Sequence, residues 1–230
     1  MNSRARTSCA GLLAAAAAAL ACGSGSGAPG SIVPLGEAQS GIATYYGATG
    51  GGNCMFDPTG DLNVTAMNEV QYAGSAACGQ CIEVEGERGT VTVRVVDRCP
   101  ECGVGHLDLS QEAFAQIADP ADGRVNIQWT PVTCPVAGNV AYRFKEGSSR
   151  WWTAIQVRNH RLPVQALAYR TSGDWIDVPR ENYNYFVVTS GVGTDGPFAV
   201  RVTATDGQQI EDTLPGVQEG QVFTGSGQFQ

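Results

Sequence analysis

Only two histidines occur in the 230 residues, His106 and His160, too few and too separated for a metal cluster. No Gly-x-Ser-x-Gly elbow is present, so the sequence offers no serine nucleophile of the hydrolase type. Beyond the N-terminus no apolar run reaches about 18 residues, the length a permanent membrane-spanning helix needs. The glycine-rich run Gly47–Gly52 lacks the following Lys and helix of a phosphate loop and reads as a flexible loop. Positive charge is scarce as well. Fourteen Lys and Arg face 22 Asp and Glu, a formal charge of −8. Like-charge repulsion then argues against nucleic acid and against anionic polymers as general partners, and leaves a neutral polymer as the easier one.

What the chain does have begins with an N-terminal address. Arg4 and Arg6 precede an alanine-rich apolar run from Gly11 to Leu20, followed by Ala21, Cys22 and a Gly/Ser/Pro stretch. This pattern reads as an export signal over 1–21 and a flexible spacer over 22–37. Ala19-Leu20-Ala21-Cys22 resembles a lipoprotein cleavage site, with Leu one place later than usual, so lipid attachment through Cys22 and ordinary cleavage into the extracellular space both stay open. Cleavage before Cys22 removes two of the 14 basic residues and none of the 22 acidic ones, taking the charge from −8 to −10.

Six cysteines remain after the signal: Cys54, Cys78, Cys81, Cys99, Cys102 and Cys134. Cys78-x-x-Cys81 and Cys99-x-x-Cys102 satisfy a four-thiolate zinc pattern. Export selects the other reading, three disulfides, because zinc would leave Cys54 and Cys134 to pair alone in an oxidising compartment. A redox role for Cys99-Pro100-Glu101-Cys102 is weaker, since only Arg98 is at hand to lower a thiol pKa.

Composition divides the chain near Cys134–Asn139, where cysteine stops. Upstream, residues 41–45, 81–85, 90–96 and 125–129 favour strands. One helix interrupts them, with Ser110 as N-cap, Ala113, Phe114, Ile117 and Ala118 on one face, and Asp119-Pro120 at its end. A small β-barrel over 38–137 is expected. Downstream, strands at 141–144, 152–158, 164–169, 175–178, 186–190, 198–205 and 209–213, separated by regular turn signals, predict an antiparallel sandwich over 138–230. The whole is mainly β.

Two places carry chemistry. Asp97, at the end of a strand, and Asp108, just before the helix, could divide into acid and base as glycoside hydrolysis requires, or could be held by structural hydrogen bonds. His106 and His160 read as hydrogen-bonding loop residues. In the second half Trp151 and Trp152 stand side by side ahead of a strand. Alternation should send one into the core and one to solvent, unless a bulge turns both outward.

Together Thr44-Tyr45-Tyr46-Gly47, Val96-Asp97, His106-Leu107-Asp108-Leu109-Ser110 and the segment 145–160 resemble the bacterial expansins, over nearly all of the mature chain. The resemblance implies a six-stranded double-psi β-barrel followed by an immunoglobulin-like carbohydrate-binding β-sandwich. It implies loosening of cellulose-containing plant walls without cutting glycosidic bonds, no cofactor and a monomer. Carried over residue by residue, Thr44, Tyr46, Asp97 and Asp108 match the polar barrel groove, with Asp108 matching the acid of hydrolase relatives. Trp151, Trp152 and Tyr183 match a flat aromatic platform, with Lys145 beside it. Cellulose and associated neutral β-glucans or xyloglucan are the implied partners. Cys54 with Cys78 and Cys81 with Cys134 resemble pairs of the plant branch, which leaves Cys99 with Cys102.

Three departures matter. Cys99 stands where many bacterial relatives have a groove tyrosine. Ala48 stands where family-45 endoglucanases carry their base aspartate, so water activation has no obvious agent. The acidic charge predicts poor binding of acidic pectins, unlike basic members. Two further readings are a lytic transglycosylase, suggested by 41–47 but lacking its usual His and Glu motifs, and a pure carbohydrate-binding protein indifferent to Asp108.

Overall fold

The computed structural model describes residues 31–230. The signal, Cys22 and Cys9 lie outside these described residues.

Six strands close a barrel: β1 Gln39–Tyr46, β2 Val64–Asn68, β3 Cys81–Gly86, β4 Gly89–Cys99, β5 His106–Ser110 and β6 Val125–Val132, ordered β1-β5-β2-β4-β3-β6. Two pairs, β1–β5 and β2–β4, are parallel and the other four antiparallel, so the chain crosses over itself twice. Inside, Ala43, Val84, Val93, Leu107 and Leu109 are buried with Phe114 of the helix α2 Gln111–Ile117. Ser110 caps that helix by accepting from the Ala113 N–H, and Phe114 packs on Tyr45 with ring centroids 4.9 Å apart. A further single turn, α1 Glu69–Tyr72, follows β2 and was not expected.

Two four-stranded sheets share a second core. One has the order β10-β9-β12-β13, from β9 Val164–Arg170, β10 Ile176–Val178, β12 Phe198–Ala204 and β13 Gln209–Leu214. The other is β11-β8-β7-β14, from β7 Ala141–Phe144, β8 Thr153–Arg158, β11 Phe186–Val188 and β14 Val222–Thr224. Tyr142, Phe144, Ile155 and Phe186 of one meet Leu167, Val200, Val202 and Leu214 of the other. The opposite face of β8 and β11 is covered as well, Ala154 and Val187 lying under Tyr185, Trp152 and Tyr183.

The six cysteines pair as Cys54–Cys78, Cys81–Cys134 and Cys99–Cys102. That pairing leaves no thiolate for zinc. Among the described residues no helix is long and apolar enough to cross a membrane.

Candidate functional site

Strand register assembles the polar groove. Thr44 of β1 lies opposite Asp108 of β5, Asp108 opposite Ala66 of β2, and Ala66 opposite Asp97 of β4. These four positions form one row across four strands, and strands about 4.8 Å apart put the Asp97 and Asp108 backbones roughly 10 Å apart. Between them only the methyl of Ala66 fills the row, which keeps the space open. The Thr44 hydroxyl donates to Asp108 Oδ1 at 2.5 Å. With its proton so committed, Thr44 Oγ1 accepts from His106 Nε2, 2.8 Å away. His106 is therefore a strand residue of the groove and not a loop residue. The reason is period two: Leu107 and Leu109 enter the core, so His106 and Asp108 share the other face. Burial and the nearby Arg124 guanidinium favour neutral His106 and Asp108 opposes them, with the net effect lowering its pKa.

Asp97 is held differently. Its Oδ1 accepts from the backbone N–H groups of Asn53, at 2.7 Å, and Arg98, at 2.8 Å. A Cβ at Gly52 would stand 2.4 Å from the Asp97 Cβ, so only glycine lets the 52–57 loop come this close. Tyr46 completes the set. Two places after Thr44, it shares that residue's face, and its buried hydroxyl finds no partner among the described residues. Burial first, then the charges of Asp97 and Asp108, push its pKa up to about 12, so it stays a neutral donor. Ala48 packs against the barrel core and brings no carboxylate.

Trp151 and Trp152 do not sit in the strand but in the turn before it, where Ser149 and Trp152 form an isolated bridge. One ring does point outward and the other inward, but the turn and not strand alternation sets this, since the strand starts only at Thr153. Trp151 is 66% exposed, with the Arg150 guanidinium carbon 4.2 Å from its ring centroid. Trp152 and Tyr183 are half-buried and pack on Ala154, Tyr185 and Val187. Tyr183 and Tyr185 have centroids 6.1 Å apart. Lys145 joins the same face, since its N–H donates to Ala154 O at 3.0 Å and Ala154 pairs with Val187. Gly191, with φ +69°, makes the turn possible: a Cβ there would stand 2.0 Å from Arg150 O.

Asn53 ties the groove to the loop that carries Tyr183. Asn53, whose N–H binds Asp97, donates through Nδ2 to Asn182 O at 2.7 Å and to the Tyr72 hydroxyl at 2.8 Å. Asn182 adjoins Tyr183. Nearby, Gln156 Nε2 donates to Cys54 O at 2.8 Å, and the Cys54–Cys78 disulfide anchors the loop. Asn53, Tyr185 and Arg150 carry no local signal that points to these contacts; His106 could have been found from its two-residue spacing to Asp108. The structure thus brings Thr44, Tyr46, Asp97 and Asp108 into one groove, and Trp152 and Tyr183 onto one sheet face with Lys145 opposite Ala154, while Trp151 stands exposed in the adjoining turn.

This arrangement has close counterparts. Expansin-YoaJ of Bacillus subtilis is 44% identical over 189 residues, covering 80% of this chain and 81% of its own. This chain belongs to the bacterial expansins. Expansin-like protein 5 of Dictyostelium discoideum is 33% identical over 201 residues, covering 81% of this chain and 83% of its own. Among solved structures, the apo expansin of Clavibacter michiganensis superposes with a TM-score of 0.76 at 36% identity, covering 84% of this chain and 98% of that one. A variant of that expansin, solved in complex with cellohexaose, superposes at 0.77 with 35% identity, again over 84% and 98%. Residues 38–129 match the double-psi β-barrel family described as Lytic transglycolase.

Proposed function

We propose that this expansin loosens cellulose-containing plant walls without hydrolysis, binding cellulose through Trp151, Trp152 and Tyr183, with Lys145 at the edge, and disturbing glucan contacts through Thr44, Tyr46, Asp97 and Asp108. The observation that carries the reading is the Asn53 bridge, which joins the carboxylate groove to the aromatic face as parts of one surface. Sugar rings present CH-rich faces to flat aromatics, while ring hydroxyls give hydrogen bonds to carboxylates. The relative bound to cellohexaose supports the substrate class.

The absence of hydrolysis rests on Ala48, at the place of the endoglucanase base: an acid at Asp108 without a base four places after Thr44 cannot activate water for inversion. No cofactor is called for. The rest of the reading follows the family: an exported monomer with residues 1–21 removed and 22–37 as spacer, lipid-anchored through Cys22 or free, its barrel over 38–137 and an immunoglobulin-like carbohydrate-binding sandwich over 138–230. The −10 charge favours neutral β-glucans and xyloglucan over acidic pectins.

The barrel's match to the lytic transglycolase family favours one second reading, in which Asp108 protonates a glycosidic oxygen in peptidoglycan. One experiment separates them. Purified mature protein is incubated with cellulose and with peptidoglycan, following soluble fragments and the extension of a clamped plant wall strip. Extension without fragments, reduced by Asp108→Asn, is expected. Fragments that vanish with Asp108→Asn would refute the non-hydrolytic reading, and cellulose binding with neither effect would reduce the protein to a binding module.

A further inference from the structure

A cavity of about 270 Å³ lies apart from the groove and the aromatic face, walled by Phe56, Asp57 and Arg94 from the barrel side and by Arg158, Asn159 and His160 from the segment that ends β8. Its charges are unevenly matched. Arg158 is engaged: Nη1 binds Asp57 Oδ2 at 2.6 Å and Nε donates to Gln156 Oε1 at 2.5 Å. Asp57 is shared further with Arg143. Arg180, elsewhere in the interior, reaches the carbonyls of Ser75 and Val164. Arg94 differs from all three. Its guanidinium carbon sits 5.4 Å from the Phe56 centroid, yet the group makes no hydrogen bond and no ion pair among the described residues. Asp61 acts on it only through space, and burial disfavours its charge. His160 adds nothing to the positive side. Its Nδ1 donates to Leu162 O at 2.8 Å, and burial keeps the ring neutral.

A half-buried guanidinium with no acceptor among the described residues presents a fork of donors that matches a planar carboxylate. The neighbouring Asp57 carboxylate disfavours a second negative charge on the ligand, which selects a monoanion over a phosphate dianion. At about 270 Å³ the cavity is at or below the small end of ligand sites, of order 300 Å³, so it admits one sugar ring and not a polymer chain running through it. We propose that Arg94 and the cavity around it bind a single small carboxylated molecule of the size of one uronic acid ring, either free or at the end of a wall glycan. The site does not depend on the cellulose reading, because it shares no residue with the groove or the aromatic face.

The test uses the whole mature protein, titrated calorimetrically with glucuronate, with glucose as the uncharged counterpart and with inorganic phosphate, all at matched ionic strength. One charge-assisted fork is expected to favour glucuronate over glucose by tenfold or more, on the order of the gain for hydrogen bonds to charged groups. Phosphate is expected to bind more weakly than glucuronate. Arg94→Met should erase the preference and leave cellulose binding intact, and Thr59→Trp, at the exposed mouth of the cavity, should block the site without removing the guanidinium. Oligogalacturonide binding as tightly as glucuronate would assign the site to chain ends; weaker binding would assign it to the free acid. Equal affinity for glucose and glucuronate would overturn the proposal. So would a preference that survives Arg94→Met or Thr59→Trp, or tighter binding of phosphate.

Discussion

Removing the Trp151 ring tests the aromatic face most directly. The residue is 66% exposed and Arg150 lies over one of its faces, so one free face meets a ligand. Tryptophan presents at most roughly 250 Å², and half of the exposed share is about 80 Å², worth about 2 kcal/mol when covered by sugar. Trp151→Ala should therefore weaken cellulose binding by about 30-fold in depletion isotherms. Because the exposed ring's contact is with the Arg150 guanidinium, the fold should lose no more than about 1 kcal/mol in urea unfolding. Trp152→Ala should behave differently, since that ring packs on Ala154, Tyr185 and Val187 and its loss lowers stability as well as affinity. Affinity within about twofold of the parent for Trp151→Ala, with the fold intact, would refute a stacking role for the exposed ring.

Two further outcomes are expected. His160 is held neutral by burial, its pKa brought down to about 4 from 6.5. The unfolded chain therefore binds this proton first. The stability His160 contributes is complete above about pH 6.5 and is lost as pH falls toward 4; the loss is about 2 kcal/mol between pH 7.5 and pH 5. Urea unfolding at the two pH values measures it, and His160→Gln should flatten the difference. Gly191→Ala should lower thermal stability and cellulose affinity together although every aromatic is retained, because the added Cβ meets Arg150 O and displaces the Trp151 turn; a binding isotherm matching the parent would show that the turn is not needed.

Most of the strands were legible as alternating apolar runs between turn residues, and seven of the later set fall close to their expected places. β2 was not. All five of its residues are buried, so Val64-Thr65-Ala66-Met67-Asn68 shows no alternation, and Ala, Met and Asn have little strand preference of their own. β14, Val222–Thr224, has strand-favouring residues but only three of them, too short a run to show a period, and pairing with β7 completes it. His106 was misplaced because a five-residue strand leading directly into a helix leaves no loop to mark the boundary.

Residue order alone determined the scarcity of positive charge, the mainly β character and the motifs that mark the family, because composition, local period and short spacings express them. Tertiary structure decided which distant residues meet. Asp97 and Asp108 share a row only because β2 runs between β4 and β5, parallel to one and antiparallel to the other. Asn53 reaches Asn182 across 129 positions, and Arg94 meets the cavity between Phe56 and His160 because of what folds around it. Such contacts depend on how strands cross and how loops pack, which hydrophobic period and turn chemistry do not encode.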